Sequence, residues 1–235
     1  MRKTVGFVFI AMLVSNSLFA VSVKTIVDEM NERYTKIMEE SGGIKITQEI
    51  NSISDGAKIS SNQIILKKGS KYKISTVSEM DIDVEKTKNV ILFDGMNVWF
   101  ISPFVGITLM PKDEPLKEGV LDDFAKLIPK NSVLSGTEEV NGEECYIIET
   151  PEGEGSALDK IWISKSRFIP LKASGKMGKE IVNLIFSDYK KIKDIWGIPY
   201  KIETFLGENL ISSTNVKSVQ TGINISDDTF DVKNQ

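Results

Sequence analysis

Histidine is absent from this chain, and cysteine occurs once. Each shortage closes a class of chemistry. Without histidine there is no ordinary general base near neutral pH and no imidazole metal ligand. Ser-His-Asp and Cys-His nucleophilic sites and histidine-bound zinc are excluded together. Cys145 alone cannot form an internal disulfide, so no covalent staple is expected. It lies in the apolar run Cys145-Tyr146-Ile147-Ile148, where it reads as a small buried hydrophobe. Residues 15–25 contain no cysteine, so a lipid anchor at the end of a leader segment is not expected.

An excess of positive charge is also missing. Lysine and arginine number 29 against 33 acidic residues, for a formal net charge of −4. Such a chain leaves nucleic-acid phosphate un-neutralised, so no nucleic-acid partner is expected. The one dense basic cluster is Lys67, Lys68, Lys71 and Lys73. It reads as a solvated strand end, or as a surface for an anionic headgroup or an acidic partner. The adjacent carboxylates Asp122-Asp123, Glu138-Glu139 and Glu143-Glu144 fall in turns or on opposite strand faces. They do not face each other across a substrate as glycosidase carboxylates must. Gly153-Glu154-Gly155 lacks the third glycine of a dinucleotide fingerprint, with Leu158 in its place. The acidic clusters lack EF-hand spacing. The expectation is a protein that is not an enzyme, with no cofactor and no metal.

What is present begins with an export signal. Arg2 and Lys3 precede the apolar stretch Val5 to Val14, and Ala20 offers a small residue for cleavage. Residues 1–20 are expected to be a signal peptide, cut near Ala20, and residues 21–235 a single domain. No later run reaches the roughly 18 apolar residues of a membrane span.

Ser22 to Ser41 reads as an amphipathic helix. Val23, Ile26, Val27, Met30, Tyr34, Ile37 and Met38 recur at steps of three and four, Ser22 can cap the start, and Gly42-Gly43 ends it. Strand texture follows. Ile44, Ile46, Gln48 and Ile50 share one parity. Further strands are expected at Lys58 to Lys67, Lys71 to Met80, Val90 to Phe93, Val98 to Ser102 and Ile107 to Met110. Leu121, Phe124, Leu127 and Ile128 then lie at helical spacing before Pro129. Strands resume at Val133 to Val140, Cys145 to Thr150, Lys160 to Ser164, Ile169 to Lys176, Glu180 to Lys190, Ile198 to Leu206 and Leu210 to Val219. Asp94-Gly95 and Asn141-Gly142 mark hairpin turns. The fold class is mainly β with a few helices (α+β): a curved antiparallel sheet with helices across its concave face.

Several segments point to one family. Asp94-Gly95 is followed by Val98-Trp99-Phe100-Ile101 and Pro103-Phe104-Val105. Leu66 to Ile74, Leu121 to Ile128, Lys160 to Ser164 with Ile169-Pro170, Ile185 to Tyr189 with Ile198-Pro199, and Ile225 to Val232 add to it. Together they resemble the LolA-like periplasmic carriers of outer-membrane lipoproteins. The resemblance implies an incomplete β-barrel sheltering acyl chains, with a helical lid, and a soluble periplasmic monomer. Its partners would be lipoprotein acyl chains or lipid, an inner-membrane release complex and an outer-membrane acceptor. Tyr72, Ile74, Trp99 and Ile101 would line the lipid-binding cavity, and Leu121, Phe124, Leu127 and Ile128 would form the lid. Trp99 and Ile101 are chosen over Val98 and Phe100 by parity, and one register step exchanges the two faces. Lys68 matches the position of a family arginine that latches the lid, although lysine lacks the forked contacts of arginine. A periplasmic carrier of free lipid or glycolipid, and a lipid-responsive protein-binding scaffold, stand as alternatives.

Overall fold

The computed structural model describes residues 21–54, 56–80, 87–111, 124–151 and 158–235. The expected signal segment 1–20 and Leu121 lie outside the described residues.

The first element is helix α1, Val23–Ser41. The Ser22 hydroxyl accepts from the Thr25 N–H at 3.1 Å and satisfies one of the donors that a helix start leaves open. Gly42, at φ 61°, ends the helix in a conformation that disfavours a side chain. Gly43 opens the first strand where two backbones nearly touch: a Cβ there would lie 2.2 Å from the Ile223 carbonyl oxygen.

Thirteen strands follow among the described residues. They are β1 Gly43–Ser54, β2 Ala57–Lys68, β3 Lys71–Met80, β4 Thr87–Phe93, β5 Val98–Ser102 and β6 Gly106–Leu109. After a 3-10 turn at Phe124–Leu127 come β7 Val133–Val140, β8 Glu143–Glu149, β9 Lys160–Ser164, β10 Pro170–Met177, β11 Glu180–Ile192, β12 Ile195–Leu206 and β13 Asn209–Ile223. All pair antiparallel in one sheet of order β6-β5-β4-β3-β2-β1-β13-β12-β11-β10-β9-β8-β7. Two sequential meanders thus meet at the β1–β13 ladder, and β6 and β7 form the open edges. The sheet is an incomplete barrel with a helix on it, as expected. Hairpin chemistry follows the sequence closely. The Asn141-Gly142 loop has φ 52° and 80°, the positive pair that a two-residue turn between twisted strands requires. At the β4–β5 turn, Asp94 Oδ1 accepts from the Met96 and Asn97 N–H groups, each at 2.8 Å.

β1 runs on to Ser54, where the composition of Asn51 to Ala57 reads as turn. The extension is held on both sides, since Ser52 pairs with Ile59 of β2 and with Ser212 of β13.

α1 lies on one face of the sheet, called here the inner face. Ile26 and Met30 pack with Ile148, Ile161, Ile163, Ala173 and Phe186 from one meander. Met38 packs against Ile44, Ile46, Ile65, Tyr72 and Ile74, mostly from the other. The helix therefore spans the seam between the halves.

Candidate functional site

The inner face is a broad apolar surface covered by α1 and the Phe124–Leu127 turn. Its parity is set by the ladders. Ile46 pairs with Ile65, Ile65 with Ile74, and Ile74 with Ile91. Residues paired across an antiparallel ladder share a face, so these four form one apolar row under α1.

Tyr72 and Ile74 sit on this face and are buried, with the Tyr72 ring 5.5 Å from that of Phe93. Trp99 and Ile101 do not join them. Tyr72 pairs with Phe93 and Phe93 with Val98, while Ile91 pairs with Phe100. Val98 and Phe100 therefore hold the inner parity, and Trp99 and Ile101 belong to the opposite face, corrected by one register step. Trp99 instead serves its hairpin: its indole N–H donates to Asp94 Oδ2 at 2.8 Å. Burial raises the Asp94 carboxyl, but the donors from Trp99, Asn97 and Met96 outweigh it and hold the group below its ordinary value.

Of the residues expected to form a lid, Phe124 and Ile128 lie against the core. The Phe124 ring meets Phe186 edge-on, with centroids 5.2 Å apart, and Ile128 is buried. Leu127 is 52% exposed and points away from the core, whereas Ala125 is 2% exposed and takes the inward position. A 3-10 turn has three residues per turn rather than 3.6, so spacing counted on an α-helix misplaces Leu127.

Lys68 does not reach the Phe124–Leu127 turn. Its ammonium donates to the Ile225 carbonyl at 2.9 Å and to Asp227 Oδ1 at 3.3 Å, fastening the C-terminal tail together with Lys71. These lysines hold the Asp227 carboxyl below its ordinary value. The lysine that holds a covering helix is Lys67, one residue earlier and on the inner face. It is 7% exposed, donates to Tyr34 Oη on α1 at 3.0 Å, and stands 5.7 Å from the Tyr34 ring centroid. Strand alternation decides which lysine turns inward, and the Tyr34 parity on α1 was the signal that could have found it.

Beside α1 lies a pocket of about 170 Å³, lined by Ile46, Ile50, Ile65, Ile198, Ile202 and Val216 together with Gln48 and Gln63. The two amides are linked. Gln48 Nε2 donates to Gln63 Oε1 at 2.6 Å, and Gln63 Nε2 donates to Thr76 Oγ1 at 3.0 Å. They make a polar row across β1, β2 and β3. A second recess, of about 520 Å³, opens where β1, β2 and β13 end, between Ser52, Ile59, Glu79 and Leu210.

The described carboxylates of the other candidate pairs make contacts within the sheet. Glu143 is gripped by Arg167, whose Nε donates to it at 2.9 Å and whose Nη2 also donates, with Ser164 and Ser166 adding hydroxyl donors. Arg167 foremost holds the carboxyl down to about 2, against the opposing effect of burial. Glu138 accepts the Trp162 indole N–H at 2.8 Å, and Glu144 pairs with Lys165 at 2.7 Å. Among the described residues no cluster of acidic or cysteine side chains could hold a metal ion, and no helix is long and apolar enough to cross a membrane.

No family model matches the sequence, and no curated protein does. Solved structures do match. A DUF1329 family protein from Desulfovibrio piger aligns with a TM-score of 0.65 at 18% identity, over 90% of this chain and 98% of the other. A putative outer membrane lipoprotein-sorting protein domain from Vibrio parahaemolyticus aligns with a TM-score of 0.64 at 16% identity, again over 90% and 98%. At these identities the likeness is one of architecture, and it extends over nine-tenths of the chain: this protein shares the fold of these two structures.

Proposed function

We propose that this chain is a periplasmic carrier that shelters the acyl chains of lipid-modified proteins and passes them from the inner to the outer membrane. One observation carries the reading: a wide apolar sheet face is covered by separate pieces, α1 and the Phe124–Leu127 turn, rather than by a second sheet. Such covers can shift without unpairing a strand. The shared fold supports the same role. The driving force is ample, since burying a saturated chain contributes about 0.8 kcal/mol per methylene. The pocket beside α1, about 170 Å³, is smaller than the roughly 300–1,000 Å³ of drug-sized ligand sites. Cargo must therefore displace part of the cover to enter. When empty, the cover keeps apolar surface from water and from other chains.

Residues 1–20 would deliver the chain to the periplasm, and a release complex and an acceptor would stand at either end of its route. The task requires no catalytic group and no cofactor.

The test is native mass spectrometry of the exported protein purified gently from the periplasm, with extracted ligand identified alongside. A co-purifying lipoprotein supports the carrier. A phospholipid or glycolipid replaces it with a free-lipid carrier. An empty protein that also ignores a fluorescent fatty acid overturns both. In the same titration, Phe124→Glu places a charge against Phe186 and is expected to weaken probe binding at least tenfold in a folded protein. Unchanged binding would remove the 3-10 turn from the site.

A further inference from the structure

The polar row on the inner face is out of place in a surface meant only for hydrocarbon. Gln48 and Gln63 are 6% and 9% exposed, yet they flank a pocket whose other walls are mostly isoleucine and valine. Leucine at either position would cover the sheet without desolvating an amide. Each carboxamide carries two N–H donors, and the row from Gln48 to Gln63 to Thr76 engages one from each glutamine. Further N–H donors are left beside the pocket. No residue lining it carries a charge.

From this geometry we infer that the pocket and the Gln48–Gln63–Thr76 row form a binding site for the uncharged carbonyl that joins an acyl chain to its carrier. The first methylenes of the chain lie among the isoleucines, and the ester or amide C=O accepts from the glutamine N–H groups. The inference rests on the acyl-binding reading above and sharpens it: the ligand is recognised at a neutral junction, not at an anionic headgroup. A phosphate or carboxylate at this depth would be buried without a cation among the lining residues, which is costly. A neutral carbonyl loses little on entry if donors await it. The row also fixes depth, because a chain that slides further places its carbonyl against Ile65 or Ile46 and loses those donors.

The probes are a monoacylglycerol and the alkyl glycerol ether of equal chain length, which differ in one carbonyl. Each is titrated below its micelle concentration against the exported full chain, by displacement of an uncharged fluorescent hydrocarbon. The wild type is expected to prefer the ester about tenfold, the worth of one well-made hydrogen bond. The Gln48→Leu/Gln63→Leu variant is expected to bind both equally while keeping its affinity for the ether. Equal affinities in the wild type overturn the inference whatever the variant does, so the result does not depend on the variant folding. A preference that survives in the folded variant overturns it as well. If neither compound displaces the probe and the probe itself does not bind, the acyl-carrier reading falls too, which separates the two failures.

Discussion

Replacing Tyr34 by phenylalanine removes one hydroxyl and leaves the ring in place. That hydroxyl accepts from the Lys67 ammonium at 3.0 Å, at a site where Lys67 is 7% exposed. A hydrogen bond to a charged donor contributes about 1.5–3 kcal/mol. The ring remains near the ammonium, so a cation–π attraction of about 0.5–2 kcal/mol persists. That attraction cancels between the two proteins, and the net loss in Tyr34→Phe is the hydrogen bond alone, about 1.5–3 kcal/mol. It falls on the arrangement in which α1 covers the sheet, because the contact joins helix to sheet. If acyl ligand enters only when α1 shifts, the apparent affinity is the intrinsic affinity scaled by the open fraction. Even the lower bound, about 1.5 kcal/mol lost from the covered form, raises that fraction, and the apparent affinity, about tenfold. Urea unfolding and titration with a fluorescent fatty acid read the two effects separately. The expected result is a lower unfolding midpoint together with tighter binding. A lower midpoint with unchanged or weaker binding would refute the idea that ligand displaces α1. No change in either would show that the contact holds nothing.

Glu143 gives a pH signature. Its folded value, about 2, lies below its ordinary 4.5, so its contribution is complete above pH 4.5 and is lost as pH falls through about 2. Glu143→Gln should lower the urea midpoint at pH 7 by the equivalent of about 1.5–3 kcal/mol, and the gap should narrow between pH 4.5 and 2. A gap that is constant with pH would mean that charge pairing with Arg167 does not contribute. Cys145 is wholly buried, and burial foremost, then the nearby Glu143 charge, pushes its thiol up to about 11. A maleimide should leave it unmodified in the folded protein and label it on unfolding. Cys145→Ser should cost about 1–3 kcal/mol, measured by urea unfolding, by burying a hydroxyl among apolar groups.

The strands were largely legible because apolar and polar residues alternate along them and turn residues punctuate them. The helix was legible from its cap, its periodic face and its glycine stop. Parity was legible only where one face is polar. In β4 and β5 both faces carry large apolar residues, with Leu92 and Val98 both buried, so alternation gives no sign of which side faces α1. The choice of Trp99 and Ile101 failed for that reason. The basic cluster failed differently: Lys67 and Lys68 look alike in sequence, and pairing with Tyr72 or Lys71 decides their direction. Gln48 could be placed with the isoleucines of its strand, but its bond to Gln63 depends on a register that only the folded sheet supplies. Ala125 gives no hydrophobic signal because it is small, although its smallness lets the turn lie close to α1.

The strand order has a mechanical consequence. β1 and β13 lie side by side in the middle of the sheet, and the chain's midpoint links the outer strands β6 and β7. β6 and β7 are thus opposite rims of a trough, and neither is paired with the other. Cut between them, the chain would become two consecutive meanders joined without any covalent bond, through the β1–β13 ladder and the helix laid across it. Parting the rims breaks no ladder, so the trough can be entered without the sheet giving up a single rung.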